Sequence, residues 1–315
     1  MMSFIFFGTS DFALPILEEL KKQGWLPKLI ITTPDSMGGR GLKPKPSPVK
    51  IWAEKNNIPV LQPENLKSPD FTQKLLNTEC STAVVASYGK IIPKEILDIF
   101  PKGILNVHPS LLPKWRGADP IRSAMLAGDE KTGATIMLID EKMDHGPILA
   151  QREFEFQISN FKFLKLYGSL AELGGKLLVE TIPRWLTGKI ESKEQDHSKA
   201  TYTKKITKED GHIDWAETAE IIERKIRALN PWPGTYAFWN ERRIKILEAQ
   251  PKWSKSDLDQ KRTKPGFVRR ENSELGITCG EGAILVKKLQ MEGKKNQSAT
   301  EFLNGYPDII GAILN

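Results

Sequence analysis

Along the first 155 residues, short apolar runs alternate with stretches of helical spacing. Ser3 to Phe7 reads as a buried strand closed by Gly8, and Leu14 to Leu20 as a helix capped near Ser10 or Asp11 and stopped at Gly24. Pro27 to Thr33 is a second strand, and Pro48 to Asn56 a second helix with Ser47 as its cap. Further apolar runs lie at Ala83–Ala86, Gly103–His108 and Ala134–Ile139. Strands alternating with helices predict right-handed crossovers. The expected fold is α/β, a Rossmann-like, mostly parallel sheet with helices on both faces. Phe163 to Trp185 reads as a long amphipathic helix, with Pro183 and Gly188 marking its end.

The pattern changes after that helix. Residues 189–207 are polar and aperiodic, as a linker would be. One helical run, Ala216 to Leu229, then precedes five strand-like pieces: Thr235–Trp239, Ile244–Ala249, Gly266–Val268, Gly276–Cys279 and Ala283–Leu289. Short strands separated by turn residues predict a small OB-like β-barrel. The expected domains are 1–188, a linker at 189–207, and 208–315.

Composition narrows the class. The chain has 315 residues, 39% of them apolar, which suits about two globular domains. No run of about 18 apolar residues exists to span a membrane, and the start lacks the basic and apolar regions of a secretory signal. Two distant cysteines, Cys80 and Cys279, suit a reducing compartment, so a cytoplasmic protein is expected. Four histidines show no zinc-ligand spacing, so no metal is expected. No coiled-coil pattern suggests assembly, and a monomer is expected. The net charge of +7 permits a polyanionic partner without demonstrating one. Gly8–Ala13 lacks the GxGxxG pattern, which weakens a dinucleotide reading.

The chemistry concentrates in Leu105-Asn106-Val107-His108-Pro109-Ser110-Leu111-Leu112-Pro113. Residues two apart on a strand share a face, so Asn106 and His108 point one way and Val107 the other. In open α/β sheets, ligands bind at the carboxyl ends of strands. The carboxamide can donate to a developing oxyanion, and the imidazole can take a proton near neutral pH. Asp144 follows the run 134–139. If those strands are neighbours, it reaches His108 and orients the ring. No nucleophile stands among these residues, so a substrate must supply it. Amine attack on an activated carbonyl fits an Asn, His and Asp site. Taken singly, an Asn-x-His on a strand is more often structural than functional.

At these residues the chain resembles methionyl-tRNA formyltransferases. Asn106 to Pro113 looks like the motif shared by enzymes that use 10-formyltetrahydrofolate. Gly39 to Val49 resembles a loop at the tRNA acceptor, and Lys114 to Ile121 the continuation of the core motif. Thr201 to Thr207, Asp214-Trp215 and Ile226 to Gly234 resemble the linker and the start of the C-terminal domain. His145 and Pro147 stand where the family more often has Thr and Asp, and Asp119 where it commonly has a small residue. The resemblance implies a formyltransferase catalytic domain and an OB-like tRNA-binding domain. It implies that Asn106, His108 and Asp144 are catalytic and that Ser110, Leu111, Leu112 and Pro113 contact the folate. The methionyl amine of initiator tRNA would attack the formyl carbon of the folate co-substrate. Arg40, Lys43 and Lys45 would approach the acceptor stem. Lys204, Lys205, Arg242 and Arg243 are expected to meet phosphates, and the clusters Lys261-Arg262 and Arg269-Arg270 could do the same. Trp215, Trp232, Trp239 and Trp253 could stack on bases, although core packing is the commoner role. A sugar-amine formyltransferase or a formyltetrahydrofolate hydrolase would share the same three residues. An RNA-binding module without turnover is the alternative from another class.

Overall fold

The computed structural model describes residues 2–38, 43–155, 161–252, 264–272 and 274–315. Contacts divide the chain into two compact units. The first comprises Met1–Ile121, Glu130–Phe156 and Leu164–Lys204; the second comprises Arg122–Asp129, Gln157–Phe163 and Lys205–Asn315.

In chain order, β1 (Ile5–Gly8), α1 (Ala13–Lys22) and β2 (Leu29–Ile31) come first, then the short antiparallel pair β3 (Ser36–Gly38) and β4 (Lys43–Lys45). There follow α2 (Pro48–Lys55), β5 (Val60–Leu61), α3 (Pro69–Leu76), β6 (Ala83–Ala86), α4 (Lys94–Leu97) and β7 (Ile104–His108). Then come α5 (Pro120–Ala127), β8 (Lys131–Leu138), β9 (Ile148–Glu155) and α6 (Phe163–Leu186). Ser47 and Ser68 cap α2 and α3 by accepting an N–H of the first turn.

The seven-stranded sheet runs β5-β2-β1-β6-β7-β8-β9. The first five strands are parallel, while β8 and β9 run antiparallel at one edge. The hydrophobic pattern does not reveal β9. It is an edge strand carrying Gln151, Arg152 and Glu153, and an edge tolerates such polarity. Period-two alternation sorts the side chains between two faces. Ile5, Phe7, Ile31, Val85 and Ile104 pack with Phe71 and Leu75 of α3 and Ile96 of α4. On the opposite face α6 comes so near that a Cβ on Gly174 would lie 2.6 Å from Val107. Helix α6 runs through Pro183 and ends at Leu186, one residue beyond the expected Trp185 and before Gly188.

The second unit holds α7 (Ala219–Leu229), β10 (Thr235–Trp239), β11 (Arg242–Lys252), β12 (Val268–Glu271), β13 (Glu274–Thr278), β14 (Ala283–Met291), β15 (Gln297–Ser298) and α8 (Ala299–Gly305). The sheet order is β10-β11-β14-β13-β12, with β15 beside β14, all antiparallel. The last residues close it. Asn315 exchanges backbone hydrogen bonds with Phe238 of β10, while Gly311 and Ala312 do so with Val268 of β12. The tail thus bridges the two edge strands and makes a small barrel. Ile246, Ile277, Val286 and Leu289 fill it, with Ile222 and Ile226 of α7 and Phe302 of α8.

Candidate active site

Strand β7 lies between β6 and β8, which fixes its backbone on both sides. Ile104, Asn106 and His108 therefore share one face, and Val107 faces α6. Both polar side chains are largely buried: Asn106 is 9% exposed and His108 4%. Buried polar groups need partners, and here they find each other's neighbours.

Asp144 sits in the loop after β8, which turns back toward β7. Its Oδ1 accepts from Asn106 Nδ2 at 3.2 Å, and its Oδ2 accepts from the Gly117 backbone N–H at 2.8 Å. Asn106, His108 and Asp144 thus meet, as their spacing on neighbouring strands suggests. The ring of His108 is held differently from the expectation. Its Nε2 lies 2.9 Å from the Trp115 carbonyl, whereas its Nδ1 lies 3.7 Å from Asp144 Oδ2, beyond hydrogen-bond range. A carbonyl only accepts, so Nε2 carries the hydrogen and Nδ1 is the nitrogen left to take a proton. Trp115, rather than Asp144, orients the ring. Asp144 instead faces His108 Nδ1 from beyond hydrogen-bond range.

Two loops complete this cluster, and each contains a non-glycine residue in the left-handed region: Trp115 at φ 63° and Asp144 at φ 47°. Such residues cost about 1–3 kcal/mol each and persist only where surrounding contacts hold them. Gly117, at φ 113°, delivers its N–H to Asp144. A Cβ there would meet Thr203 Oγ1 at 2.6 Å.

Residues 110–113 are tied down by their own hydrogen bonds. Ser110 Oγ donates to the Lys114 carbonyl at 2.6 Å, and Thr135 Oγ1 donates to the Ser110 carbonyl and accepts from Leu112 N–H. Gln151 Nε2 donates to the Leu112 carbonyl. Ser110 and Leu112 are buried, while Leu111 and Pro113 remain half-buried. A second polar group lies at the carboxyl ends of β1 and β6. Ser10 Oγ donates to Ser87 Oγ at 2.7 Å, and Tyr167 O–H donates to Asp11. Burial pushes the Tyr167 hydroxyl upward and that of Tyr88 up to about 12. Ser87 and Tyr167 carry no motif that singles them out in the sequence.

Of the proposed RNA contacts, Lys43 and Lys45 are exposed on β4, and Lys204 and Lys205 are exposed at the junction of the units. Arg242 and Arg243 are exposed at the start of β11, where Arg243 lies over the Tyr236 ring at 5.5 Å. Arg269 is paired with Glu271 at 2.8 Å. Trp215 and Trp239 belong to the barrel core, and Trp232 is half exposed. Arg40, Trp253, Lys261 and Arg262 lie outside the described residues. Among the described residues, no cluster of metal ligands forms and no helix is long and apolar enough to cross a membrane.

The chain has relatives among known proteins. The Formyl transferase family matches residues 2–182, and the Formyl transferase, C-terminal domain, family matches residues 205–307. These two matches together make the chain a formyl-transfer enzyme. The chain is 40% identical over 310 residues to a methionyl-tRNA formyltransferase of Marinobacter nauticus, covering 98% of both chains. It is 45% identical to one of Chloroflexus aurantiacus, covering 96% of this chain and 97% of the relative. The chain belongs to the methionyl-tRNA formyltransferase family. Two solved structures share its fold. HypX from Aquifex aeolicus in complex with tetrahydrofolic acid has a TM-score of 0.65 at 15% identity, covering 98% of this chain and 48% of HypX. An N-formyltransferase from Helicobacter canadensis in complex with folinic acid and dTDP-3-aminofucose has a TM-score of 0.64 at 19% identity, covering 91% of this chain and 99% of that one.

Proposed function

We propose that the chain transfers the formyl group of 10-formyltetrahydrofolate to the amino group of methionyl initiator tRNA, and that Asn106, His108 and Asp144 carry the reaction. One observation supports this chemistry above the others. Asn106 and Asp144, 38 residues apart, meet beside a histidine whose free ring nitrogen faces the carboxylate.

The amine nitrogen attacks the formyl carbon and a C–N bond forms. The carbonyl oxygen becomes an oxyanion. Asn106 Nδ2 carries two hydrogens, one on Asp144 and one able to stabilise that oxyanion. His108 Nδ1 takes the amine proton, and Asp144 offsets the charge that comes with it. The bond to folate N10 then breaks and the proton passes to N10. Leu111 and Pro113 present the surface for the folate, while Ser110 and Leu112 support it from beneath.

Lys43, Lys45, Lys204, Lys205, Arg242 and Arg243 supply the contacts to RNA phosphates, with Arg40 beside the acceptor end. Each lost phosphate contact reduces the slope of log affinity against log salt by about 1. Incubation with 10-formyltetrahydrofolate and methionyl initiator tRNA tests the reading, with formyl-methionine as the measured product. Formyl transfer to an amino sugar instead, or formate release without an acceptor, would replace it.

A further inference from the structure

The segment 193–203 falls within the expected polar linker, 189–207. In the structure it lies along both loops of the site. Lys193 exchanges two backbone hydrogen bonds with Ile148, just beyond the Asp144 loop. Further on, Thr201 N–H donates to the Pro113 carbonyl, Arg116 N–H to the Thr201 carbonyl and Thr203 N–H to the Arg116 carbonyl. The hydroxyls of Thr201 and Thr203 accept from Trp115 N–H and Asp119 N–H.

Arg116 is the centre of this contact. It is 1% exposed, and its guanidinium bonds end on neutral groups of the segment: Gln195 Oε1 at 2.7 and 3.1 Å, His197 Nδ1 at 2.9 Å and Tyr202 Oη at 3.3 Å. The His197 ring stacks flat on His145, 4.0 Å away. A buried charge is stable only where its donors are satisfied. Gln195 also faces the other loop. Its Nε2 donates to the Asp144 carbonyl at 2.9 Å and the Gly146 carbonyl at 2.7 Å. One carboxamide therefore joins the Trp115–Gly117 loop, which holds His108, to the Asp144 loop.

We infer that 193–203 is a positioning strap, and that Gln195 and Arg116 are positioning residues which fix Asp144 and the Trp115 carbonyl relative to β7. This rests on the formyl-transfer reading of the site. The strap also explains how two left-handed residues, Trp115 and Asp144, are held in place: it bonds to the backbone of each.

Gln195→Glu and Gln195→Ala separate positioning from simple stabilisation. The glutamate keeps an oxygen on Arg116 but loses both N–H donors to the Asp144 loop. Positioning predicts that Gln195→Glu, whose second oxygen meets the Asp144 and Gly146 carbonyls with no hydrogen to give, does not restore the rate. In both variants kcat falls about 10–100-fold, as misplacements near 1 Å do, with KM for either substrate within threefold. Lys199→Ala, on the exposed side of the strap, keeps the parent rate. Recovery of kcat by Gln195→Glu, or kcat per folded Gln195→Ala molecule within twofold of the parent, would overturn the proposal. Thr201→Val, which removes only the acceptor for Trp115 N–H, serves if Gln195→Ala does not fold.

Amide exchange gives an activity-independent measurement. Trp115 and Gly117 amides should exchange at least about tenfold faster in Gln195→Ala while β7 amides do not change. Unchanged exchange at both would also overturn the strap. An inactive parent with the expected exchange pattern would count against the proposed reaction and leave the strap supported.

Discussion

Two halves of the site are built on different principles. Asn106 and His108 stand on β7, whose backbone is paired on both sides by β6 and β8. Asp144, Trp115 and Gly117 stand on loops, two of them non-glycine residues in the left-handed region; Trp115 and Asp144 are bonded by strap side chains, and Gly117 by Asp144. A strand interior holds its residues through many cooperative contacts. A loop holds them through a few bonds, any one of which can be removed. The strand half should therefore withstand packing defects, while the loop half should fail at single atoms.

The largest effect tests whether the two halves form one site. His108→Ala and Asp144→Asn should each lower kcat by about 10²–10⁴-fold. Asparagine at 144 offers one oxygen to two donors, Asn106 Nδ2 and Gly117 N–H, so one contact becomes donor against donor. Affinity for charged tRNA should stay near that of the parent. Normal turnover by either variant in a single-turnover formylation assay would separate the halves.

Next in size is the loop half alone. Gly117→Ala puts a Cβ where Thr203 Oγ1 lies and holds a non-glycine residue at φ 113°. The cost is about 1–3 kcal/mol of stability. The larger consequence is displacement of the N–H that fixes Asp144. We expect kcat about 10–100-fold lower per folded molecule, read by activity against folded fraction. A full rate per folded molecule would mean that the loop tolerates what the comparison says it cannot.

The strand half should respond in the opposite sense. Leu105 is fully buried on β7, and Leu105→Ala should cost about 2–5 kcal/mol of stability. Activity per folded molecule should stay within about twofold, because backbone pairing rather than this side chain keeps Asn106 and His108 in register. Urea unfolding and kcat measured on the same preparation decide it. A tenfold loss of rate at full folding would erase the distinction.

The same division governs what the sequence reveals. Period-two alternation places Asn106 and His108 on one face and Val107 on the other, and the structure shows that arrangement. Neighbouring strands are enough to suggest that Asp144 comes near. The strap has no such period. Gln195 and His197 lie in the polar, aperiodic run 189–207, and Arg116 lies in the segment 114–121, where no pattern gives it a role of its own. Their partners are specific atoms some 80 residues away, and no local pattern encodes such a pairing. The Trp115 carbonyl that orients His108 is a backbone group. The identity of residue 115 says nothing about it. In the barrel, alternating strands are legible, whereas closure by residues 311–315 depends on backbone hydrogen bonds together with Leu314 packed into the core.

The smallest expected effect concerns the strand-held core beside the site. Tyr88 follows β6 and packs edge-on to Phe7, with ring centroids 5.4 Å apart. Its hydroxyl is buried and, among the described residues, has no hydrogen-bond partner. Removing that oxygen costs no bond and relieves a desolvated polar atom. Tyr88→Phe should therefore raise stability by about 1 kcal/mol at pH 8. The hydroxyl ionises near 10.0 in an unfolded chain and, owing to burial, only at about 12 in the folded one. Between those values the unfolded chain has released a proton that the folded chain keeps. The penalty for keeping that proton is absent below pH 10 and grows as pH rises toward 12, by at most about 1.4 kcal/mol per unit. Urea midpoints from pH 8 to 11 should fall in the parent and fall less in Tyr88→Phe. A variant less stable than the parent at pH 8 would show that the hydroxyl is satisfied, and that the strand half also leans on individual polar contacts.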